Sequence, residues 1–315
     1  MDDKFQVKGL LVPEEINPFS KQTTTRSTIR TQFCGRIELL NNLNFTCKNN
    51  HNTNNPLQFD APAGIPNHGN SCYLSSALQC LLNIKLLVQC ILAIPSHIRK
   101  QADFLNLFAS FTLSYQNKNF DHIKLYSSLI KIKLGKENKD FIGTKQCDIT
   151  ECLEVILDML SLDVQELCAK NVLTGPNFID DLFTYQIGSK DRCKDCKIFE
   201  FLWAPSRHFC CDIESGDDDV VSLLKCVRET ISLFNNNCQK CTGNPIAMTQ
   251  WKTVPSIFLF HLGRVKYEKK QQVKIKRKVD LPKTFSIGMQ TYALSSISSH
   301  IGDSTTNGHY VVDLR

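Results

Sequence analysis

Residues 64–82 read Gly-Ile-Pro-Asn-His-Gly-Asn-Ser-Cys-Tyr-Leu-Ser-Ser-Ala-Leu-Gln-Cys-Leu-Leu. The first part is rich in glycine, proline and asparagine, which favour turns, and Asn70 or Ser71 can cap a following helix. From Leu74 onwards apolar residues recur at helical spacing, which predicts a helix that starts near Cys72. The unpaired N–H groups and the dipole at that end favour a thiolate, so Cys72 is a candidate nucleophile.

Composition indicates a globular protein. The chain has 315 residues, of which 42% are hydrophobic and 22% charged, typical of one or two domains with a buried core. A net charge of +6 is too dilute over this length to indicate nucleic-acid binding by itself. No secretory signal is visible, and the longest apolar stretch, 81–94, is too short to span a bilayer. We therefore expect an intracellular protein, cytoplasmic, nuclear or both, without a membrane partner.

The polarity and the hydrophobic periodicity of the sequence change along the chain. Residues 1–60 are polar and without clear periodicity, which predicts a partly disordered extension before a folded domain over 61–315. Helical periodicity predicts helices over 72–94, 102–134 and 148–161. After Phe178, short β-branched and aromatic runs predict strands, interrupted by one predicted helix over 220–234. Helices followed by strands predict an α+β fold.

Two cysteine pairs have the spacing of metal ligands. The chain has 15 cysteines, and inside a cell closely spaced cysteines indicate metal binding or catalysis rather than disulfides. Cys193-Lys-Asp-Cys196 and Cys238-Gln-Lys-Cys241 form two Cys-x-x-Cys knuckles, which together predict one closed, structural Cys₄ zinc site. Two unrelated pairs of surface cysteines are the alternative. A redox role is disfavoured because neither pair opens a helix after a strand.

A cysteine nucleophile needs a general base, and histidine is the usual one. Of the eight histidines, His309 stands out because Gly308 precedes it and the aromatic start of a strand follows. Glycine permits the close approach of another chain segment, and a strand fixes the direction of the imidazole. On composition alone this is only suggestive, since a histidine after a glycine is more often structural than catalytic.

Five segments together resemble the ubiquitin-specific proteases, a family of papain-like cysteine deubiquitinases. The stretch 64–79 is similar to that family's cysteine box, and Gln146-Cys-Asp-Ile-Thr-Glu-Cys-Leu153 to its second box. The two knuckles match its fingers subdomain in order and separation. The stretch 253–264 resembles the strand between fingers and palm, and 276–310 its histidine box. The resemblance covers Gly64 to Arg315.

The resemblance implies a papain-like thumb over about 64–175, zinc-ribbon fingers over about 183–250 and a palm over about 251–315. It implies Cys72 as nucleophile, His309 as base, and Asn67 as a donor to the oxyanion. The implied reaction is hydrolysis after the C-terminal glycine of ubiquitin, through a thioester. The implied partners are ubiquitin and ubiquitinated proteins, and we expect a monomer.

The family pattern continues with strands that carry an Asp or Asn orienting the imidazole. This chain has 315 − 309 = 6 residues after His309, so we expect those palm strands to be missing. Asp313 lies about 13 Å further along a strand, at about 3.3 Å per residue, and is too far to substitute. Asp303, in the preceding loop, could do so only by folding back.

Two other functions stay open. A chain with a poorly held His309 could be a pseudoenzyme that binds ubiquitin without turnover. A zinc-ribbon nucleic-acid binder would use the basic stretch 264–278 beside the knuckles. That stretch alternates like a solvated strand and has a single aromatic residue, Tyr267, rather than a stacking platform, so we expect no nucleic-acid partner.

Overall fold

The computed structural model contains two compact units, formed by 15–179 and by 1–14 with 180–315. We call them the helical unit and the sheet unit. The structure describes residues 4–13, 62–193, 195–196, 199–213, 221–223, 241, 245–268, 271–275, 277–287, 290–302, 304 and 307–315.

The helical unit contains six α-helices and one 3₁₀ turn in its described part. In chain order they are α1 (Cys72–Leu82), α2 (Lys85–Ala93), α3 (Ser96–Arg99), α4 (Asp103–Gln116), α5 (Phe120–Glu137), the 3₁₀ turn Lys139–Phe141 and α6 (Ile149–Ala169). A short helix, α7 (Phe178–Phe183), follows at the boundary between the two units.

The predicted helices are confirmed in position, but two of them are divided. The predicted helix over 72–94 breaks at Asn83, and the one over 102–134 breaks where Lys118 adopts a left-handed φ of 52°. The side chain of Asn119 then accepts a hydrogen bond from the backbone N–H of His122, which caps α5. The third helix, α6, starts as predicted, with Asp148 as its cap, and continues to Ala169.

The sheet unit begins with a strand at the N-terminus, β1 (Lys4–Pro13). The remaining strands are β2 (Tyr185–Cys193), β3 (Phe199–Ser206), β4 (His208–Asp212), β5 (Val221–Ser222), β6 (Pro245–Thr253), β7 (Phe258–Gly263), β8 (Val265–Glu268), β9 (Gln271–Lys274), β10 (Val279–Asp280), β11 (Thr284–Ile287), β12 (Gln290–Ile301) and β13 (His309–Leu314).

The largest sheet is organised around β12. On one side, β12 pairs with β1, which in turn pairs with β7, and β7 pairs with β4. On its other side, β12 pairs with β11 near its start and with β13 near its end. All these pairs are antiparallel except β4 with β7. This arrangement gives β13 a fixed register, with His309 opposite Ile301 and Tyr310 opposite His300.

An aromatic core lies against this sheet. Phe258 is fully buried, and its ring centroid lies 4.8 Å from that of Phe260 and 5.8 Å from that of Tyr292. The Tyr292 hydroxyl donates to the carbonyl of Pro255, and the Tyr185 hydroxyl donates to the carbonyl of His208. These buried polar groups are therefore satisfied within the core, as buried hydroxyls require.

A separate three-stranded antiparallel sheet has the order β3-β2-β6. Its register places Cys193 at the end of β2, opposite Pro245 at the start of β6. Cys196 lies in the turn after β2, and Cys241 lies shortly before β6. The register thus pairs the end of β2, next to the first knuckle, with the start of β6, four residues after Cys241. Cys238 lies outside the described residues, so the predicted zinc site stays a prediction.

The α+β prediction is confirmed, with two differences. Residues 4–13 were expected to lack regular structure, yet they form β1 inside the largest sheet. Their alternation of polar and apolar residues is short and interrupted by Gly9, and the tertiary pairing decides the structure. Val221 and Ser222 pair as β5 with β10, where a helix was predicted. Leu223, the next residue of that predicted helix, is helical, and residues 224–234 lie outside the described residues, as do 1–3 and 14–60 of the predicted extension.

Among the described helices, none is by itself long and apolar enough to cross a membrane. The helices α1 and α2 together meet the criteria of length and composition, but they are bent by 80° relative to each other.

Candidate active site

Cys72 is the first residue of α1, as predicted, and its side chain is buried. The helix starts with a hydrogen bond from the backbone N–H of Ser75 to the carbonyl of Ser71, 3.0 Å long. Neither Asn70 nor Ser71 caps this helix through its side chain. The hydroxyl of Ser71 is used within the preceding loop instead. The Ser71 side chain therefore accepts no capping hydrogen bond from the N–H groups at this end of α1.

A side chain to which the sequence analysis assigned no role reaches the sulfur of Cys72. The amide nitrogen Nε2 of Gln146 lies 3.4 Å from Cys72 Sγ, within hydrogen-bonding distance for sulfur. Gln146 belongs to the loop before α6, 74 residues further along the chain. An amide N–H directed at a thiolate stabilises its negative charge, so Gln146 is a candidate part of the site.

Asn67 is held by the residue that precedes Cys72. Its side-chain oxygen Oδ1 accepts a hydrogen bond from the backbone N–H of Ser71 at 2.8 Å and one from the Ser71 hydroxyl at 3.1 Å. The Ser71 hydroxyl in turn accepts from the backbone N–H of His68 at 2.7 Å. Because the oxygen of the Asn67 amide is engaged, its NH₂ group is the end that remains to donate to a reacting oxygen.

The same loop takes a conformation that favours glycine. Gly69 and Asn70 are consecutive left-handed residues, with φ of 73° and 49°. A Cβ on Gly69 would come within 3.0 Å of the Thr144 side chain, so the loop lies tightly against the segment that leads to Gln146. Asn70 adds a hydrogen bond from its Nδ2 to the carbonyl of Thr144, 2.9 Å long. Asn is the residue, after glycine, that best tolerates this conformation.

The start of α1 is fixed by its neighbours in the core. Tyr73 is fully buried, its ring stacks on Phe141 at a centroid distance of 5.7 Å, and burial raises its pKa. Further along α1, the amide nitrogen of Gln79 donates to the carbonyl of Ala63. The hydroxyl of Tyr115 donates to Gln79 Oε1. Both ends of the loop that carries Asn67 are therefore anchored.

His309 belongs to the sheet unit, where it is the first residue of β13 and is exposed. The prediction that Gly308 permits a close approach is confirmed. A Cβ at this position would overlap the carbonyl oxygen of Ile301 and would lie 2.5 Å from two ring atoms of His300. The His300 ring also packs on Tyr310, with ring centroids 4.8 Å apart. The backbone that precedes His309 is thus seated against the end of β12.

A buried lysine supports this end of the sheet. Lys274, at the end of β9, places its ammonium 3.2 Å from His300 Nδ1 and 3.1 Å from the His300 carbonyl. It also donates to the carbonyl of Gly302 at 2.5 Å. An ammonium can only donate, so Nδ1 of His300 accepts a hydrogen bond from it and the ring proton of the neutral imidazole lies on Nε2. Lys274 therefore ties β9 to the turn that leads to His309.

The structure gathers the predicted site residues in part. In the helical unit, Cys72 and Asn67 lie together with Gln146, while His309 belongs to the sheet unit. Asp313 lies four residues after His309 on the same strand, opposite Ile297, and is exposed. Asp303 lies outside the described residues. No cluster of three or more His, Cys, Asp or Glu side chains suited to a metal occurs among the described residues, which omit Cys238.

The residues described above lie within a segment that matches the model of a known protein family. The family model for ubiquitin carboxyl-terminal hydrolase matches residues 63–315, which include both Cys72 and His309. The chain belongs to the ubiquitin carboxyl-terminal hydrolase family. The family match starts at Ala63, whose carbonyl anchors α1, and leaves out β1.

Individual family members are distant in sequence. Ubiquitin carboxyl-terminal hydrolase 9 of Saccharomyces cerevisiae is 29% identical over 229 residues, which are 65% of this chain but only 30% of the yeast protein. Ubiquitin carboxyl-terminal hydrolase 12 of Salmo salar is 24% identical over 286 residues, which are 79% of this chain and 76% of the salmon protein.

Solved structures share the fold. The SAGA DUB module Ubp8/Sgf11/Sus1/Sgf73 bound to monoubiquitin contains a chain that matches with a TM-score of 0.66 at 17% identity. The match covers 89% of this chain and 67% of that one. The same module bound to ubiquitin aldehyde matches equally, with a TM-score of 0.66 at 18% identity. The mixed helix and sheet fold of this chain is therefore similar to the fold of the matching chain in that module.

Proposed function

We propose that this chain is a cysteine-type deubiquitinase, which hydrolyses the bond after the C-terminal glycine of ubiquitin in conjugates or precursors. The contact between Gln146 Nε2 and Cys72 Sγ carries the proposal, because it joins the motifs of the cysteine box and the second box around one sulfur. Family membership supports the same reaction. So does the likeness to a fold whose solved examples hold monoubiquitin and ubiquitin aldehyde.

In the proposed mechanism, His309 takes the proton of the Cys72 thiol, and the thiolate attacks the carbonyl carbon of the terminal glycine of ubiquitin. The carbonyl oxygen becomes an oxyanion, to which the NH₂ group of Asn67 donates. The imidazolium returns its proton to the leaving amine as the C–N bond breaks, which leaves a thioester. Water, deprotonated by His309, then cleaves the thioester and restores Cys72.

A ubiquitin probe with a C-terminal electrophile tests this proposal. The intact chain should form a covalent adduct through Cys72, and Cys72→Ser should form none. Cys80→Ser is the matched control, because Cys80 lies on the same helix and is also buried. Labelling that persists in Cys72→Ser would refute Cys72 as the nucleophile.

The same samples separate the pseudoenzyme from the enzyme. Reversible ubiquitin binding without adduct formation would indicate a ubiquitin-binding protein without turnover, and no binding at all would exclude both functions. Fluorescence from ubiquitin that carries a fluorogenic C-terminal amide then measures turnover. His309→Asn should abolish turnover and leave ubiquitin binding in place, because the imidazole moves a proton rather than holding the substrate.

We propose in addition that Cys193, Cys196, Cys238 and Cys241 hold one structural zinc ion. The pairing of Cys193 with Pro245, four residues after Cys241 in the chain, supports this donor set. Four thiolates close the shell, so the ion would stabilise the fold without taking part in catalysis.

Zinc content tests this site separately from activity. The purified chain should contain about one zinc ion, as a closed four-sulfur site requires. Cys238→Ser should lose the metal, whereas Cys210→Ser, a change of an exposed cysteine on β4, should keep it. Zinc retained in Cys238→Ser would contradict the assignment.

The partners we propose are ubiquitin and ubiquitinated proteins, bound by a monomer.

A further inference from the structure

Lys131, on α5, directs its ammonium group at two loops. Its Nζ lies 2.6 Å from the carbonyl oxygen of His68 and 3.2 Å from that of Gly69, both in the loop before Cys72. It also lies 2.8 Å from the carbonyl oxygen of Gly143, in the loop before Gln146. An ammonium has three N–H bonds, so these three carbonyls can take all of them.

Each of these loops supplies one side chain to the site. The first loop carries Asn67, and the second carries Gln146, whose amide approaches the Cys72 sulfur. The two loops are separated by more than 70 residues of sequence, so their mutual position depends on tertiary contacts. One direct contact between them is the hydrogen bond from Asn70 to the Thr144 carbonyl, and Gly69 lies close enough to Thr144 that a Cβ would come within 3.0 Å of its side chain.

The environment of Lys131 favours a fixed position. Its side chain is half-buried, and burial lowers its pKa from the ordinary value of 10.5. Hydrogen bonds from a charged donor are stronger than those between neutral groups. Three such bonds to carbonyls compensate for part of the lost hydration. A lysine held in this way links α5 to both loops at one point.

We propose that Lys131 is a positioning residue for the reaction: it clasps the loops 67–71 and 143–146 together, and thereby sets the Gln146 amide against the Cys72 sulfur. Lys131 touches neither the sulfur nor, in the proposed mechanism, the substrate. In this proposal Lys131 affects turnover by holding the Gln146 amide in place. This inference rests on the proposed function for its kinetic consequence, but not for the clasp itself.

Hydrogen exchange tests the clasp without any substrate. In Lys131→Met, which keeps the length of the side chain and removes its donors, backbone amides of both loops should exchange about 10-fold faster or more. Amides of α4, elsewhere in the same unit, should keep their rates. Lys136→Met is the matched control, because Lys136 is an exposed lysine in the last turn of the same helix. Unchanged exchange in either loop of Lys131→Met would overturn the proposal.

Turnover of a fluorogenic ubiquitin amide tests the consequence. In Lys131→Met, kcat should fall about 10-fold with KM changed less than 2-fold, because small displacements at a reacting centre reduce the rate strongly. In the Gln146→Ala background, the same change should reduce kcat less than 2-fold, since the two residues act through one contact. An equal loss in both backgrounds would refute the positioning role.

Two further outcomes distinguish a failure of the proposed function from a failure of the Lys131 proposal. If the wild-type chain turns over no substrate, the proposed function fails, and hydrogen exchange alone decides whether the clasp exists. If Lys131→Met does not fold, Lys131→Arg serves in its place, since it keeps the charge but has a flat guanidinium. It should shift exchange in both loops in the same direction, and wild-type exchange rates in Lys131→Arg would then count against the clasp.

Discussion

The amide nitrogen of Gln146 lies 3.4 Å from the sulfur of Cys72, although the two residues are 74 positions apart in the chain. Glutamine carries no charge, so this contact costs less to bury than an ion pair does. Its N–H can nevertheless favour the thiolate over the thiol. The stretch 146–153 is thereby tied to Cys72, the proposed nucleophile.

Gln146→Ala should reduce the rate of probe labelling at Cys72 about 10- to 100-fold, because a hydrogen bond to a charged group contributes about 1.5–3 kcal/mol. Labelling is followed by mass spectrometry over time at one probe concentration. Gln101→Ala, which changes an exposed glutamine after α3, serves as the control. A labelling rate equal to wild type would show that the amide does not act on the sulfur.

Gly308→Ala should strongly impair turnover. A Cβ here would overlap the Ile301 carbonyl and lie 2.5 Å from the His300 ring, so β12 and β13 would have to separate next to His309. Overpacking of this kind costs roughly 1–3 kcal/mol of stability. The measurements are kcat with a fluorogenic ubiquitin amide and the free energy of unfolding in denaturant.

Gly64→Ala is the stability control for that change, since a Cβ on Gly64 meets nothing within 4 Å. It should leave the free energy of unfolding within about 0.5 kcal/mol of wild type, as is usual for unobstructed surface substitutions. If Gly308→Ala were equally harmless, the close approach of β13 to His300 would not constrain this glycine.

His68 should make stability depend on pH. Burial lowers the pKa of this histidine below its ordinary value of 6.5, and the nearby Lys131 and Lys124 lower it further. Its Nε2 lies 2.7 Å from the hydroxyl of Ser127. Between the two pKa values the unfolded chain binds more protons than the folded one. The contribution of His68 is therefore complete above pH 6.5 and is lost as the pH falls through its folded pKa.

His68→Gln removes this titration and should flatten the fall in unfolding free energy between about pH 7 and pH 5. Denaturant unfolding at several pH values measures the slope. His122→Gln is the matched control, because His122 is an exposed histidine on α5. A slope that stays at the wild-type value in His68→Gln would mean that protonation of His68 does not oppose folding.

Local signals predicted much of this architecture. The turn-rich run before Cys72 and the helical spacing after it predicted α1. Gly308 before a strand predicted a close approach of another segment, which the structure shows to be the end of β12 at Ile301 and His300. These predictions succeed because the physical cause lies within a few neighbouring residues. The α+β order follows in the same way from the change of periodicity after Phe178.

The sequence did not predict the contacts between residues that lie far apart in the chain. Nothing near Gln146 indicates that its amide reaches Cys72, and nothing near Lys131 indicates that its ammonium meets carbonyls of two distant loops. In the sequence such side chains cannot be distinguished from ordinary surface residues, because their partners become neighbours only in the folded chain. The N-terminal strand was missed for a related reason, because its pairing partners lie more than 240 residues away.

Deletion of residues 1–13 should destabilise the sheet unit, because β1 lies between β12 and β7. It pairs with β12 along most of its length and with β7 over residues 8–11. Each backbone hydrogen bond contributes about 0.5–1.5 kcal/mol, so the loss of two ladders should amount to several kcal/mol. The edges of β12 and β7 that β1 covers would also be left unpaired, which promotes aggregation.

Thermal unfolding and light scattering of the deletion variant measure both effects, and deletion of residues 1–3, which leaves β1 whole, is the control. A synthetic peptide of residues 4–13 should raise the unfolding temperature of the deletion variant when added in excess, because it restores both ladders and binds only the folded state. A peptide of the same composition in scrambled order should have no such effect. If the deletion variant unfolds at the same temperature as the intact chain, β1 does not hold the sheet together.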